Sequence, residues 1–458
     1  MKISSLHIKG FQQFNDTYLD FTNPNTGKPV DKICFIGRNG TGKSTLLSFI
    51  AGLLPNLNTL ENTRILPFLA TKLYLDKQDF YIFSSRHIGR NVFLKPEVET
   101  VDDWFYQLTQ EANPGSIQTQ LDKLKSFEIT GSDLDNIRQK LQFNNNSSDL
   151  LIYSPAESHT NTYMQVGDVP KTRLDEALGF FNGFPFHHTV ADDNVKEFWK
   201  ILIYLIKKRD NDREAFETRE ENLLKTKKEL IEEFDKDHPK ILNRLAELWN
   251  RILGKAGLEF DVENASNPIQ LNDNLKAYIH LKSTRQKISY SQLSTGIRNF
   301  IFRVGHIYSL YFDREIQRGF LLLDEPENSL FPDFLFDLVD TYQELLLDKN
   351  GENNTQFFVS THNPIIAAQF EPYERITLEW DLEGQVVARK GKAPAGDDPN
   401  DILTKDFGLK NLMGKQGQEM WQRYLELRKE LRKTDDKQKK KDLLHEINKI
   451  GKDYNFED

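Results

Sequence analysis

The chain has 458 residues, 38% of them hydrophobic and 28% charged, with a net charge of −9 and one cysteine, Cys34. That length exceeds one simple core and predicts two or three modules, and the lone cysteine excludes a disulfide framework and points to a reducing compartment. The acidic balance argues against an all-over basic nucleic-acid coat and leaves a local basic groove open, so nucleic acid stays open as a partner.

No apolar run approaches the roughly 18 to 20 residues that span a bilayer, and Met1 to Gly10 lacks a signal-peptide core. The expectation is a cytoplasmic protein with no membrane partner. In chain order, the apolar run Ile33, Cys34, Phe35, Ile36 reads as a buried strand and Leu46 to Leu53 as a helix. Between them FIGRNGTGKST fits G-x-x-x-x-G-K-[ST], with Gly37, Arg38, Asn39, Gly40, Thr41, Gly42, Lys43 and Ser44 followed by Thr45. Glycines let backbone N–H groups turn inward around a β-phosphate at a helix N-terminus that already favours an anion. Lys43 then reaches the β/γ oxygens, Ser44 ligates Mg²⁺ and Thr45 sits near the α-phosphate of ATP.

Further on, ATKLYLDKQDFYIFSSR reads as a β-hairpin and QFNNNSSD (142–149) as a surface loop. GFFNGFPFHH (179–188) has two histidines but no acidic or cysteine partner at metal-ligand spacing, and reads as an aromatic-packed loop. From Asp192 to Lys236 there is no Gly or Pro. Val195, Phe198, Trp199, Leu202, Leu205 and Ile206 recur at helical spacing, and Phe216, Leu223 and Leu230 continue at intervals of seven. One helix of about 45 residues, roughly 65 Å long, is expected, as a lid or as a dimerisation or partner-binding arm. His238-Pro239 breaks it, and Ile241 to Leu253 reads as a returning helix.

In YSQLSTGIRNF (290–300), Ser294 and Gly296 open a helix running to about Leu310, a second anion-binding arrangement. One chain does not readily bring two helix N-termini onto one phosphate chain, so this one is expected to face the nucleotide of a second protomer. GFLLLDEPENSLFPD (319–333) places Asp324 and Glu325 at the carboxyl end of a strand, Asp324 to hold Mg²⁺ and Glu325 to orient and deprotonate the attacking water. QFFVSTHNP (356–364) brings His362 to the same edge, where an imidazole contacts a γ-phosphate. A strand pair around Glu383-Gly384 closes the sheet, and a helix begins at Pro399. Residues 411–458 read as a helical tail with 12 Lys+Arg against 10 Asp+Glu.

These four motifs in this order resemble the Walker A, signature, Walker B with D-loop, and switch histidine of ABC-type ATPases. The opening KISSLHIKGFQQFNDTYLDF resembles the first hairpin of the SMC, RecF and OLD branch. The resemblance covers residues 1–60 and about 285–380. It implies an α/β ABC-type P-loop head, with a mixed central sheet flanked by helices and an N-terminal antiparallel β subdomain. Ile297 departs from the Gln or Glu of many relatives. Gln78 is a candidate Q-loop residue beside its reading as a hairpin turn residue. The stretch after the switch histidine resembles bacterial anti-phage ATPases of the Septu and retron-linked PtuA group, and PARIS-type AriA proteins share the head.

The expected division is an N-terminal lobe at 1–190, a helical insertion at 191–256, a C-terminal lobe at 257–410 and a tail at 411–458 for partner binding or oligomerisation. The implied function is a nucleotide-controlled ATPase sensor or scaffold in phage defence. It would form a homodimer through composite ATP sites, or a higher oligomer, and control a separate HNH or Toprim nuclease effector, since no Toprim or His-Asn-His set stands in this chain. The alternative is a RecF-like DNA-repair ATPase, marked by a basic groove and DNA-stimulated turnover. The helical insertion disfavours a transporter subunit.

Overall fold

In the computed structural model, which describes residues 1–57, 68–85, 91–94, 128–143, 148–156, 186–191, 195–261, 279–288, 292–312 and 314–456, two sheets share one apolar core. The first strands are β1 (Lys2–Phe11), β2 (Phe14–Asp20) and β3 (Lys32–Gly37), with helix α1 (Lys43–Leu53) after them. Next come β4 (Phe68–Leu75), β5 (Gln78–Ser85), β6 (Asn91–Leu94), α2 (Gly131–Leu141), β7 (Asp149–Ser154) and β8 (His187–Thr189). The helical middle is α3 (Val195–Glu217), α4 (Lys227–Asp237) and α5 (Ile241–Lys255), followed by the short pair β9 (Leu258–Phe260) and β10 (Ile279–Leu281). Then follow α6 (Thr295–Tyr311), β11 (Arg318–Asp324), α7 (Pro332–Leu335), α8 (Leu338–Leu345), β12 (Thr355–Thr361), α9 (Pro364–Ala367), β13 (Arg375–Trp380) and β14 (Val386–Lys390).

The central sheet has the order β14-β13-β3-β12-β11-β7-β8 and is parallel except for β14. Strands buried on both faces need continuous apolar runs, and Ile33 to Ile36 and Phe320 to Leu323 supply them. The second sheet, β2-β1-β4-β5-β6, is antiparallel. Ile3, Leu6 and Ile8 of β1 bury with Leu46, Leu47 and Ile50 of α1 and with Phe35, Phe320 and Phe358 of the central sheet. Gln356 of β12 joins the two sheets: its side chain accepts from Ile3 N at 2.8 Å and donates to Ile3 O and Val30 O at 2.9 and 3.1 Å. Gln78 pairs with Leu75 across a turn whose residues Asp76 and Lys77 have φ of 52° and 66°, so it sits at the hairpin end.

On the helical side, Trp249 of α5 is fully buried and donates its indole N–H to Ile301 O at 3.0 Å. Gly305 sits mid-helix in α6 because a Cβ there would stand 2.8 Å from the Trp249 ring and 3.1 Å from Phe198. Arg251 forms a bidentate pair with Glu344 of α8 at 2.6 and 2.7 Å.

The single long helix expected over 192–236 is corrected to two. Asn222 is buried and donates to Phe216 O at 2.8 Å, ending the first helix, and Thr226 with Glu229 forms a capping box that starts the second. The pair folds together through Phe216 and Phe234, whose rings lie 5.5 Å apart, and through an Arg209–Asp235 ion pair. Leu223 is 67% exposed at the turn, which breaks the interval of seven. Most of 179–188 and part of 142–149 lie outside the described residues.

The chain divides into two units, Met1–Pro399 and Asn400–Asp458. In the second, α10 (Lys415–Lys433) and α11 (Lys437–Tyr454) pack through Tyr424, Leu427, Leu443, Ile447 and Ile450. Among the described residues, no helix is long and apolar enough to cross a membrane.

Candidate functional site

Strand register decides which residues meet. Asp324 of β11 stands opposite Ser360 of β12, and Thr361 stands opposite Ile36 of β3. The carboxyl ends of β3, β12 and β11 therefore lie side by side, at the edge where open α/β sheets take their ligands.

From β3 the chain enters the glycine loop. Gly37, Gly40 and Gly42 have φ of 149°, 86° and 89°. A Cβ on Gly37 would stand 2.4 Å from Leu378 O, and one on Gly42 would meet the Gln13 side chain at 1.9 Å, so both positions need glycine. Thr41 is buried and its hydroxyl donates to Arg38 O at 2.8 Å. Lys43, the first residue of α1, is buried, and its Nζ donates to Gly37 O at 2.9 Å and Arg38 O at 3.4 Å. Burial lowers its pKa, against the opposing pull of Glu325, Asp324 and Glu327. Arg38, Asn39, Gly40 and Ser44 are exposed, and Thr45 is half-buried.

Across β12, Asp324 is buried, accepts from Ser360 Oγ and is approached by Ala156 N at 3.4 Å. Glu325 has a φ of 43°, in the left-handed region that a non-glycine residue rarely takes. The conformation is held by Glu325 N donating to Ser360 O at 3.1 Å and by Arg303, whose guanidinium donates to Glu325 O at 3.4 Å and Pro155 O at 2.7 Å. Asn328 donates to Glu325 Oε2 at 3.2 Å. His362 Nδ1 lies 3.3 Å from Glu325 Oε1.

Lys43, Asp324, Glu325 and His362 are thus brought together. Ser294 and Gly296 stand apart from them: among the described residues, no hydrogen bond or ion pair joins them to residues 37–45. Ser294 caps α6 by accepting from Ile297 N at 3.5 Å, and Ile297 is buried. A Cβ on Gly296 would stand 2.0 Å from Ser329 O, so the start of α6 rests on the segment following Glu325.

Sequence reasoning missed five contributors: Gln13 over Gly42, Ser360 on Asp324, Arg303 and Asn328 on Glu325, and Glu327. Glu327 is buried, its Oε1 accepts from Thr361 Oγ1, and burial raises its pKa. Its signal was available, as a second glutamate two residues after Glu325.

A glycine loop between a buried strand and a helix, with two adjacent carboxylates one strand away on a parallel sheet, defines a P-loop ATPase. The chain belongs to the AAA ATPase domain family: the family model AAA_15 matches residues 1–367, and the protein is an ATPase. No curated protein matches the chain.

Proposed function

We propose that the carboxyl edge of β3, β11 and β12 binds and hydrolyses ATP with the following division of labour. Backbone N–H groups of residues 38–45 and the start of α1 hold the phosphates, and Lys43 neutralises their β/γ oxygens. Asp324 and Ser44 offer oxygen ligands of the hardness Mg²⁺ prefers, and that ion would neutralise charge on the phosphates when bound. Glu325 orients and deprotonates the attacking water, and His362 contacts the γ-phosphate. Proximity of Lys43, Glu325 and His362 across three adjacent strands is the observation that carries this reading.

Ser294 and Gly296 complete the site of a second copy, giving a homodimer with two composite sites. A nucleotide-gated dimer with a helical hairpin and a second helical unit suits a sensor or scaffold more than a metabolic enzyme. We assign it to bacterial phage defence, of the Septu and retron-linked kind, with a separate nuclease effector, on the resemblance of its motifs.

Glu325→Gln keeps size and removes the base, so ATP binding is retained while hydrolysis falls at least about 10²-fold, the scale of general-base loss. Lys43→Ala instead weakens binding itself. Turnover and nucleotide titration of the two variants decide the site, and protection of cells carrying the neighbouring genes decides the role. Full hydrolysis by Glu325→Gln would sink the assignment of the base.

A further inference from the structure

Glu327 has no part in the mechanism above, yet among the described residues beside the site it is, after Asp324, the most buried carboxylate. Its Oε1 accepts from Thr361 Oγ1 and lies 4.0 Å from His362 Nδ1. Its Oε2 is buried with no hydrogen-bond partner among the described residues. A carboxylate buried with one oxygen unpaired opposes folding, and a threonine at a strand end does not require one. The cost points to a use.

His362 supplies it. Its Nδ1 faces Oε1 of both Glu325 and Glu327, at 3.3 and 4.0 Å, while half of the side chain is exposed. Both carboxylates lie on the Nδ1 side of the ring, Glu325 close enough to take an Nδ1–H and Glu327 just beyond hydrogen-bond reach, which favours the proton on Nδ1 and leaves Nε2 for the phosphate side. Glu325 alone could do this only while its carboxylate stays on the imidazole, which conflicts with holding a water.

We propose that Glu327 is a positioning residue that anchors the His362 Nδ1–H, so that Glu325 is released from the imidazole to act on water. The inference rests on the roles given above to Glu325 and His362. Glu327 touches neither nucleotide nor water; it fixes the tautomer and direction of the ring and thereby the freedom of the base.

The test uses the full chain with histidine-selective ¹⁵N labelling, the His362 signals being assigned with His362→Gln. In the wild type, His362 is expected as the Nδ1–H tautomer, and an Nε2–H tautomer there overturns the proposal whatever the variants do. Glu327→Gln keeps the volume and a partner for Thr361 but removes the charge. It should lower kcat about tenfold, at the mild end of what losing a carboxylate behind a histidine costs, with KM for ATP within about threefold and the Nδ1–H tautomer kept, now by Glu325, whose carboxylate stays tied to the imidazole. Thr361→Val cuts the tie to β12 and leaves the carboxylate, so kcat should stay within about threefold and the tautomer should persist. Wild-type kcat in Glu327→Gln, or equal loss in Thr361→Val, reduces Glu327 to a structural tie. If Glu325→Gln and His362→Ala hydrolyse ATP normally, the mechanism itself has failed. If they do not and Glu327→Gln does, only this inference has failed.

Discussion

At the scale of single residues, the sign of one buried charge can be followed through folding. Burial raises the pKa of Glu327 above the ordinary glutamate value, the hydrogen bond from Thr361 and the nearby His362 pull it back, and Glu325 pushes it further up. Between the unfolded and folded values the native state holds more protons than the unfolded state, so this group's contribution to stability falls as pH rises through that window. Glu327→Gln carries no such charge. Its thermal midpoint relative to wild type should therefore rise as pH is raised upward from the ordinary glutamate range. Scanning calorimetry across that range checks it, and a difference that does not change with pH would assign the effect to packing. The same residue shows why part of the site escaped a reading of the sequence. Gly37, Gly42, Lys43, Asp324 and Glu325 announce themselves by fixed spacing, whereas Ser360 and Arg303 act through a bond to a residue 36 or 22 positions away, which strand register reveals for Ser360 and only the packing of α6 reveals for Arg303.

At the scale of elements, the start of α6 rests on the turn that ends in Ser329, itself held at a φ of 64°. Gly296→Ala would place a methyl against a backbone carbonyl with no side chain to rotate away, and overpacking of that kind costs about 1–3 kcal/mol. Denaturant unfolding should show that loss. Because the displaced turn runs back to Glu325, hydrolysis should fall more than nucleotide binding; equal losses in both would show that the turn and the Glu325 carboxylate move independently. Elements themselves were legible where apolar runs are continuous, as in β3, β11, β12 and α6. The helical middle was misread because a lack of Gly and Pro was taken as continuity. Thr226 and Glu229, three apart, spell a helix start, and Asn222 ends the helix before it with a side-chain bond to Phe216 O. Periodicity of apolar residues cannot see either device.

At the scale of the whole molecule, the proposed composite site makes a prediction about pairs of chains. A Ser294→Arg chain spoils what it gives to its partner, with the loss of its own cap on α6, but keeps its loop intact, and a Lys43→Ala chain spoils only its own loop. Mixed, they contain one intact site per heterodimer, so up to about half of the mixed dimers' site activity should return when each variant alone is inactive. Turnover of co-expressed, tandem-purified variants measures it, and no recovery in a proven heterodimer would mean that the sites are unshared or fire only together. The chain divides after Pro399, within a stretch where Gly391, Pro394, Gly396 and Pro399 cluster, whereas length alone says only that more than one module is expected.

Gln356 gives the central strand a mechanical character. It lies near one end of β12 and grips the backbone of Ile3 by both its N–H and its carbonyl, while His362 follows directly on the other end, six positions along. At about 3.3 Å per residue the strand is a rod roughly 20 Å long. One continuous strand therefore carries both the residue that ties the two sheets and the segment leading to the imidazole, and the Gln356 amide shares that tie with Thr17 Oγ1, which donates to Val386 O at 2.7 Å.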